Sequence, residues 1–364
     1  MNRTDSAPVD SLVPPLLRAL DVLQAIARHL DPSILASLVQ AIDAPESALL
    51  AAREGTTSAR LHATDADRAI AAACDAALTA MRDLRAAGLA EDLRAAYRAL
   101  RQVASAQEAL YPLCPLSAVV SDHFLARPVR EEPTSLERAC VSAQDDRTGV
   151  LHFANERSAR GGFSIYVPEY YRPQQAWPLV VALHGGSGHG RDFLWNWLRD
   201  ARGQGAILVA PTASGRTWPI QDEDVDTPKL LEMLDFVRAR WSIDPTRVLL
   251  TGMSDGGTFA YLTGLQTESP FTHLAPVSAA FHPILAEVAE PARLRGLPVF
   301  VAHGALDWMF PVAMAREAAA TLAAAGASVT YRELPDLGHC YPVELNAEIL
   351  GWLRGGTSDR QTIA

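Results

Sequence analysis

A serine hydroxyl attacks a carbonyl only when a neighbouring base removes its proton and fixed donors receive the charge that develops on the carbonyl oxygen. The segment Thr251-Gly252-Met253-Ser254-Asp255-Gly256-Gly257 carries the G-x-S-x-G spacing. In that pattern a sharp strand-to-helix turn presents the serine above a sheet, and glycines two residues to either side let strand and helix approach closely. The helix that begins there also aims free N–H groups at developing negative charge. Ser254 is the candidate nucleophile. The apolar run Arg247 to Thr251 reads as a buried strand ahead of it, and Gly256 to Gly264 as the helix behind it.

Such a serine requires a histidine further along and a carboxylate that holds the histidine in one tautomer, in the order serine, acid, histidine. The downstream histidines are His273, His282, His303 and His339. His339, in Leu337-Gly338-His339-Cys340, lies between the last expected strand and the final helix, where it can reach back over the sheet, and is the candidate base. His303 ends a buried apolar run and reads as a packing and hydrogen-bonding residue. Asp307, in His303-Gly304-Ala305-Leu306-Asp307, is the candidate acid. Its rival Asp336 sits three residues from His339 and reads better as a turn-former. For the oxyanion, the expected donors are the backbone N–H of Asp255 and that of Gly186, in His184-Gly185-Gly186-Ser187-Gly188-His189-Gly190, with His184 bracing the loop. That glycine run lacks the lysine and spacing of a phosphate-binding loop.

Leu183-His184-Gly185-Gly186, Gly188-His189-Gly190, Gly252 to Gly257, His303-Gly304 with Asp307 and Pro311, and Gly338-His339 resemble the motif series of the phospholipase/carboxylesterase/thioesterase group of α/β-hydrolases. The resemblance covers about residues 160 to 355. It implies an α/β-hydrolase fold, a Ser254–His339–Asp307 triad, an oxyanion hole at Gly186 and Asp255, and cleavage of carboxylic esters, thioesters or lysophospholipids through an acyl-serine. Aspartate stands where that group commonly has glutamine after the nucleophile, which extends the resemblance to polyhydroxyalkanoate-depolymerase-like and feruloyl-esterase-like enzymes. The competing assignments are a peptidase of the same fold and a catalytically silent binding protein built on it.

These residues need a scaffold, and the chain of 364 residues is long enough for two domains. From Gly149 onward apolar runs suited to strands alternate with helical patterns: Gly149 to Phe153, Phe163 to Val167, Pro178 to Leu183, Ala206 to Ala210, Arg247 to Thr251, His273 to Ser278, Pro298 to Ala302 and Val329 to Leu334. Helices are expected at Thr227 to Trp241, Gly256 to Gly264, Val312 to Ala325 and Pro342 to Leu353. This is the rhythm of a mostly parallel sheet flanked by helices, whose ligands sit at the carboxyl ends of the strands. Before it, Leu12 to about Leu110 is alanine-rich and helical. Leu16, Leu20, Leu23, Ala27 and Leu30 share one face, Asp31-Pro32 and Thr64 or Asp65 offer helix starts, and Gly55 and Gly88 offer stops. The expected division is a helical domain at 1–125, a linker at 126–147 and a catalytic domain at 148–364. The helical domain reads as a cap, a shield or a dimerisation element, so homo-oligomerisation through it is the partner expectation.

Composition narrows the function. The 32 basic against 42 acidic residues leave a net charge of −10, with neither half basic, which disfavours phosphate-driven nucleic-acid binding. Lys229 is the sole lysine, which removes most Schiff-base chemistry. Cys74, Cys114, Cys140 and Cys340 are far apart and read as reduced thiols, and no cofactor or metal is implied. Asp222, Asp224 and Asp226 alternate as in a calcium loop, but Thr227 and Met233 occupy the glycine and glutamate positions, so a solvated loop is expected. The start of the chain has no signal-peptide pattern and no apolar run reaches membrane-spanning length, which gives a cytoplasmic expectation. Trp218, Phe281, Trp308 and Met309 are the candidate substrate-binding residues, with Trp195 and Phe310 as further aromatics near the site.

Overall fold

The computed structural model describes residues 7–56, 64–126 and 146–355. Contacts divide the chain into two units, Met1–Ser142 and Ala143–Ala364. Most of the expected linker at 126–147 lies outside the described residues, as does Cys140.

The first unit is helical. Its main helices are Ala7–Arg28, Asp43–Glu54, Asp65–Leu89 and Leu93–Leu110, with short ones at Leu35–Leu38 and Ala118–His123. Leu16, Leu20, Leu23 and Leu30 are all fully buried, as their three- and four-residue spacing dictates. Thr64 and Asp67 form a reciprocal cap, with Asp67 N–H donating to Thr64 Oγ1 at 3.1 Å and Thr64 N–H to Asp67 Oδ2 at 3.0 Å, satisfying two otherwise orphaned donors. Asp65–Leu89 and Leu93–Leu110 pack along their length with Ala73, Ala77 and Ala80 of one and Ala96, Ala99 and Ala106 of the other buried. Asp31-Pro32 does not start a helix: Asp31 Oδ1 accepts from Ser33 N–H at 2.7 Å, and this turn delays the next helix to Leu35.

The second unit is built on one eight-stranded sheet in the order β1-β2-β4-β3-β5-β6-β7-β8. The strands are β1 (Gly149–Phe153), β2 (Phe163–Val167), β3 (Trp177–Leu183), β4 (Ile207–Pro211), β5 (Ile243–Met253), β6 (His273–Val277), β7 (Pro298–Gly304) and β8 (Ser328–Leu334). β2 pairs antiparallel with β1 and β4, and the remaining pairings are parallel. All seven residues of β3 are buried, as expected for a strand covered on both faces. This is the α/β-hydrolase arrangement. β5 starts four residues earlier than its apolar run because Trp177 pairs with Ile243 across a register shift.

Helices Gly190–Gln204, Asp226–Arg240, Asp255–Gly264, Val312–Ala324 and Asn346–Leu353 flank the sheet. Sequence reading leaves Gly190–Gln204 without an element. Its signal is present in Phe193, Leu194, Trp197, Leu198 and Ala201, one buried face at helical spacing. The final helix begins at Asn346 rather than Pro342, after a 3-10 turn at Val343–Leu345. Among the described residues, no helix is long and apolar enough to cross a membrane.

Candidate active site

Ser254 sits between β5 and the helix Asp255–Gly264 with φ 55° and ψ −124°. A side chain rarely adopts that conformation, and the surrounding contacts enforce it. Ser254 N–H donates to Val277 O of β6 at 3.0 Å, and Thr258 N–H donates to Ser254 O at 2.9 Å. The turn is possible because two glycines are in near contact. A Cβ on Gly252 would lie 2.5 Å from the carbonyl carbon of Gly256, and one on Gly256 would lie 2.5 Å from the carbonyl oxygens of Leu183 and His184. Both spacings are closer than real Cβ atoms reach, so glycine is obligatory at each.

His339, on the loop after β8, directs Nε2 to Ser254 Oγ at 3.0 Å and Nδ1 to Asp307 Oδ2 at 2.9 Å. All three residues are buried. Asp307 accepts at Oδ1 from the backbone N–H groups of Met309 (2.9 Å) and Phe310 (2.8 Å). Burial alone would raise the Asp307 pKa, but hydrogen bonds from His303, His339 and the Phe310 N–H outweigh it and hold the carboxyl well below the usual carboxylate range. The acceptor facing Nδ1 is therefore an ionised carboxylate. It fixes the His339 proton on Nδ1 and leaves Nε2 to accept from Ser254. Asp336 is exposed, and the Nδ1 position is occupied by Asp307.

His303 ends β7 and is buried. Its Nε2 lies 2.9 Å from Phe310 O and 3.3 Å from Asp307 Oδ2. A carbonyl only accepts, so Nε2 carries the proton and is shared between the two oxygens. The sequence reading gives His303 a packing and hydrogen-bonding role and does not connect it to Asp307. Its clue is the four-residue separation from Asp307 at a strand end.

The loop after β3 passes beside Ser254. A Cβ on Gly185 would lie 3.5 Å from Ser254 Cβ. His184 braces the loop from beneath: Nε2 accepts from Ala213 N–H at 3.1 Å, so the Nδ1 proton is directed to Gly185 O at 2.7 Å. Gly186 faces the Asp255 side chain, whose Oδ2 would be 2.7 Å from a Cβ at that position. Among the described residues, neither the Gly186 nor the Asp255 backbone N–H donates to a protein acceptor. Thr217 Oγ1 donates to Asp255 Oδ2 at 2.5 Å, a contact no local spacing announces because the two lie 38 residues apart.

The aromatic expectations divide. Trp308 is 38% exposed, with its ring edge-on to His339 at 5.8 Å, and Phe310 meets the same imidazole at 5.3 Å. Met309 is exposed. Trp218, in contrast, belongs to the hydrophobic core: it stacks on Phe259 at 5.2 Å, and its Nε1–H donates to His184 O at 2.7 Å. It braces the loop instead of lining a cleft. Phe281 is likewise a core residue, edge-on to Tyr261 at 4.9 Å, and Trp195 is buried within Gly190–Gln204. In each case interior packing against a neighbouring element took a residue that loop position had suggested for substrate.

Asp226 is not solvated. It is buried at the start of its helix and accepts from Ser214 N–H at 3.0 Å and from the Ser214 hydroxyl, while Lys229 Nζ donates to Ser214 Oγ at 2.6 Å. Among the described residues, no group of three or more His, Cys, Asp or Glu could hold a metal ion. Cys74, Cys114 and Cys340 are buried.

The family model described as Phospholipase/Carboxylesterase matches residues 222–353, the stretch that holds Ser254, Asp307 and His339. A curated relative, a bifunctional acetylxylan esterase/xylanase of Neocallimastix patriciarum, is 28% identical over 162 residues, 43% of this chain and 23% of the relative. The chain thus spans about a quarter of that relative's length. Among solved structures, a thermostable esterase is similar at 20% identity and a TM-score of 0.46, covering 58% of this chain and 63% of its own. A ferulic acid esterase is similar at 18% identity and a TM-score of 0.46, covering 56% and 96%.

Proposed function

We propose that this α/β-hydrolase chain is a serine esterase acting on carboxylic esters, with Ser254 as nucleophile, His339 as general base and acid, Asp307 as the orienting carboxylate, and the backbone N–H groups of Gly186 and Asp255 as the oxyanion hole. The observation that carries the reading is the continuous relay from Ser254 Oγ through His339 to Asp307, at 3.0 and 2.9 Å, with the serine held at a strained turn. In acylation, Ser254 Oγ bonds to the ester carbonyl carbon while its proton passes to His339 Nε2, and the carbonyl π pair moves onto oxygen. The tetrahedral adduct then collapses, breaking the bond to the alcohol oxygen, which takes the proton from His339. Water repeats the sequence on the acyl-serine and releases the acid. Each oxyanion donor contributes on the order of 10²–10³ in rate.

Ester hydrolysis on p-nitrophenyl acetate and longer acyl esters, together with labelling of Ser254 by a fluorophosphonate probe, tests the reading. Saturable hydrolysis and stoichiometric labelling are expected. A full-length chain that neither labels nor turns over any ester in the panel would fit a silent binding protein instead. The similarity to a bifunctional acetylxylan esterase/xylanase adds acetylated xylan to that panel. The helical unit is assigned to self-association, and light scattering on the full chain checks it: a monomer at working concentration removes the assignment.

A further inference from the structure

We infer that the Asp255 side chain is a specificity-determining group that favours esters carrying hydroxyls beside the scissile bond and disfavours those carrying a negative charge there. The inference rests on the esterase reading and adds the substrate class. Asp255 contributes to the site twice. Its backbone N–H is one of the two proposed oxyanion donors, while its carboxylate lies against Gly186, the proposed source of the other. Oδ2 would be 2.7 Å from a Cβ on Gly186, which, with standard backbone dimensions, puts it within about 5 Å of the Gly186 nitrogen. Any substrate whose carbonyl oxygen is held by that nitrogen therefore presents its flanking atoms to this carboxylate.

The carboxylate is held but not neutralised. Thr217 Oγ1 fixes one oxygen at 2.5 Å. Among the described residues, no cation pairs with Asp255, and the nearby Arg216 directs Nε to Ser187 Oγ at 2.9 Å. A carboxylate offers about four lone-pair positions, so acceptor capacity remains after Thr217 is counted, and the residue is only partly buried. A hydroxyl on the substrate can fill that capacity. A carboxylate on the substrate meets a fixed like charge at short range in a site of reduced dielectric. Gly186 contributes no side chain between the two groups.

The test compares kcat/KM for the full-length wild type, Asp255→Asn and Thr217→Val on three matched esters: monoacetyl glycerol, ethyl acetate and monoethyl succinate. Asparagine keeps the backbone N–H and can still accept from Thr217, so the donor pair and the turn are preserved; melting curves verify folding. Relative to ethyl acetate, the wild type should prefer the glycerol ester and discriminate against the succinate ester. Asp255→Asn should raise the succinate-to-ethyl-acetate ratio by about tenfold, the effect of one unshielded like charge at this range, and lower the glycerol-to-ethyl-acetate ratio. Thr217→Val should move both ratios the same way by less. Unchanged ratios in a folded, active Asp255→Asn enzyme overturn the inference while leaving the esterase reading intact. Absence of turnover on all three esters, with no fluorophosphonate labelling of the wild type, overturns both.

Discussion

His303 Nε2 lies 3.3 Å from Asp307 Oδ2, the same carboxylate oxygen that meets His339 Nδ1 at 2.9 Å. Two imidazoles thus share one acceptor, and only His339 reaches the serine. His303 comes from the end of β7 and Asp307 from the loop that follows it, so the strand itself sets the direction of the acid. On the proposed esterase reading, His303 is a positioning residue for Asp307.

Replacing His303 by Ala should lower kcat by about 10- to 100-fold with KM within about twofold, the range seen when an outer hydrogen-bond partner of a site is removed. His303→Gln, whose amide can still donate, should recover part of the loss. The carboxylate has a depressed folded pKa, so it contributes stability above the ordinary carboxylate range, which is lost as pH falls through the folded value. With one donor gone, His303→Ala should lose that stability at a higher pH than wild type. Melting curves from about pH 5 down to about pH 2, across the interval below the ordinary carboxylate range, check this; parallel curves and an unchanged kcat would remove the positioning role.

Ser254→Ala should reduce turnover by about 10⁴–10⁶ and leave the fold intact. Ser254→Gly should be equally inactive yet melt higher than Ser254→Ala, because glycine relieves the φ of 55°. The difference should be about 1 kcal/mol, a strained backbone conformation offset by the chain entropy of glycine. Equal melting temperatures would mean that the elbow stores no such strain.

Gly256→Ala should destabilise the second unit by at least about 2 kcal/mol and abolish activity, because its Cβ would meet two backbone oxygens at 2.5 Å. Gly351, inside the helix Asn346–Leu353, meets nothing within 4 Å. Gly351→Ala should therefore stabilise by about 0.5–1 kcal/mol through helix propensity. Denaturant titration of the pair reads out both signs, and a tolerated Gly256→Ala would contradict the close approach.

Asp200 supplies a pH dependence away from the chemistry. Burial pushes its carboxyl up to about 6, against a hydrogen bond from Asn346 and the charge of Arg199. A carboxyl raised in the folded state keeps its proton longer than in the unfolded chain. Stability therefore falls as pH rises from about 4 to about 6, then levels. Asp200→Asn should gain about 2–3 kcal/mol at pH 7–8, with the gain vanishing near pH 4. A constant difference between the two proteins across that interval would show that Asp200 is not protonated on folding.

The sequence alone determined the pieces whose physics is local. Ser254 and its glycines announce themselves because a tight strand-to-helix turn has few solutions, and the strands are visible because buried strands need unbroken apolar runs. The leucine face of Ala7–Arg28 and the Thr64 cap follow from helical periodicity and end chemistry in the same way. The tertiary structure decided what depends on distant segments meeting. It brought His339 and Asp307 to Ser254 across 85 and 53 residues, set His303 on the acid and Thr217 on Asp255, and drew Trp218 and Phe281 into the core. Spacing cannot rank such contacts: a tryptophan in a loop gains as much by filling the interior as by lining a cleft, and only the packed neighbours settle which happens.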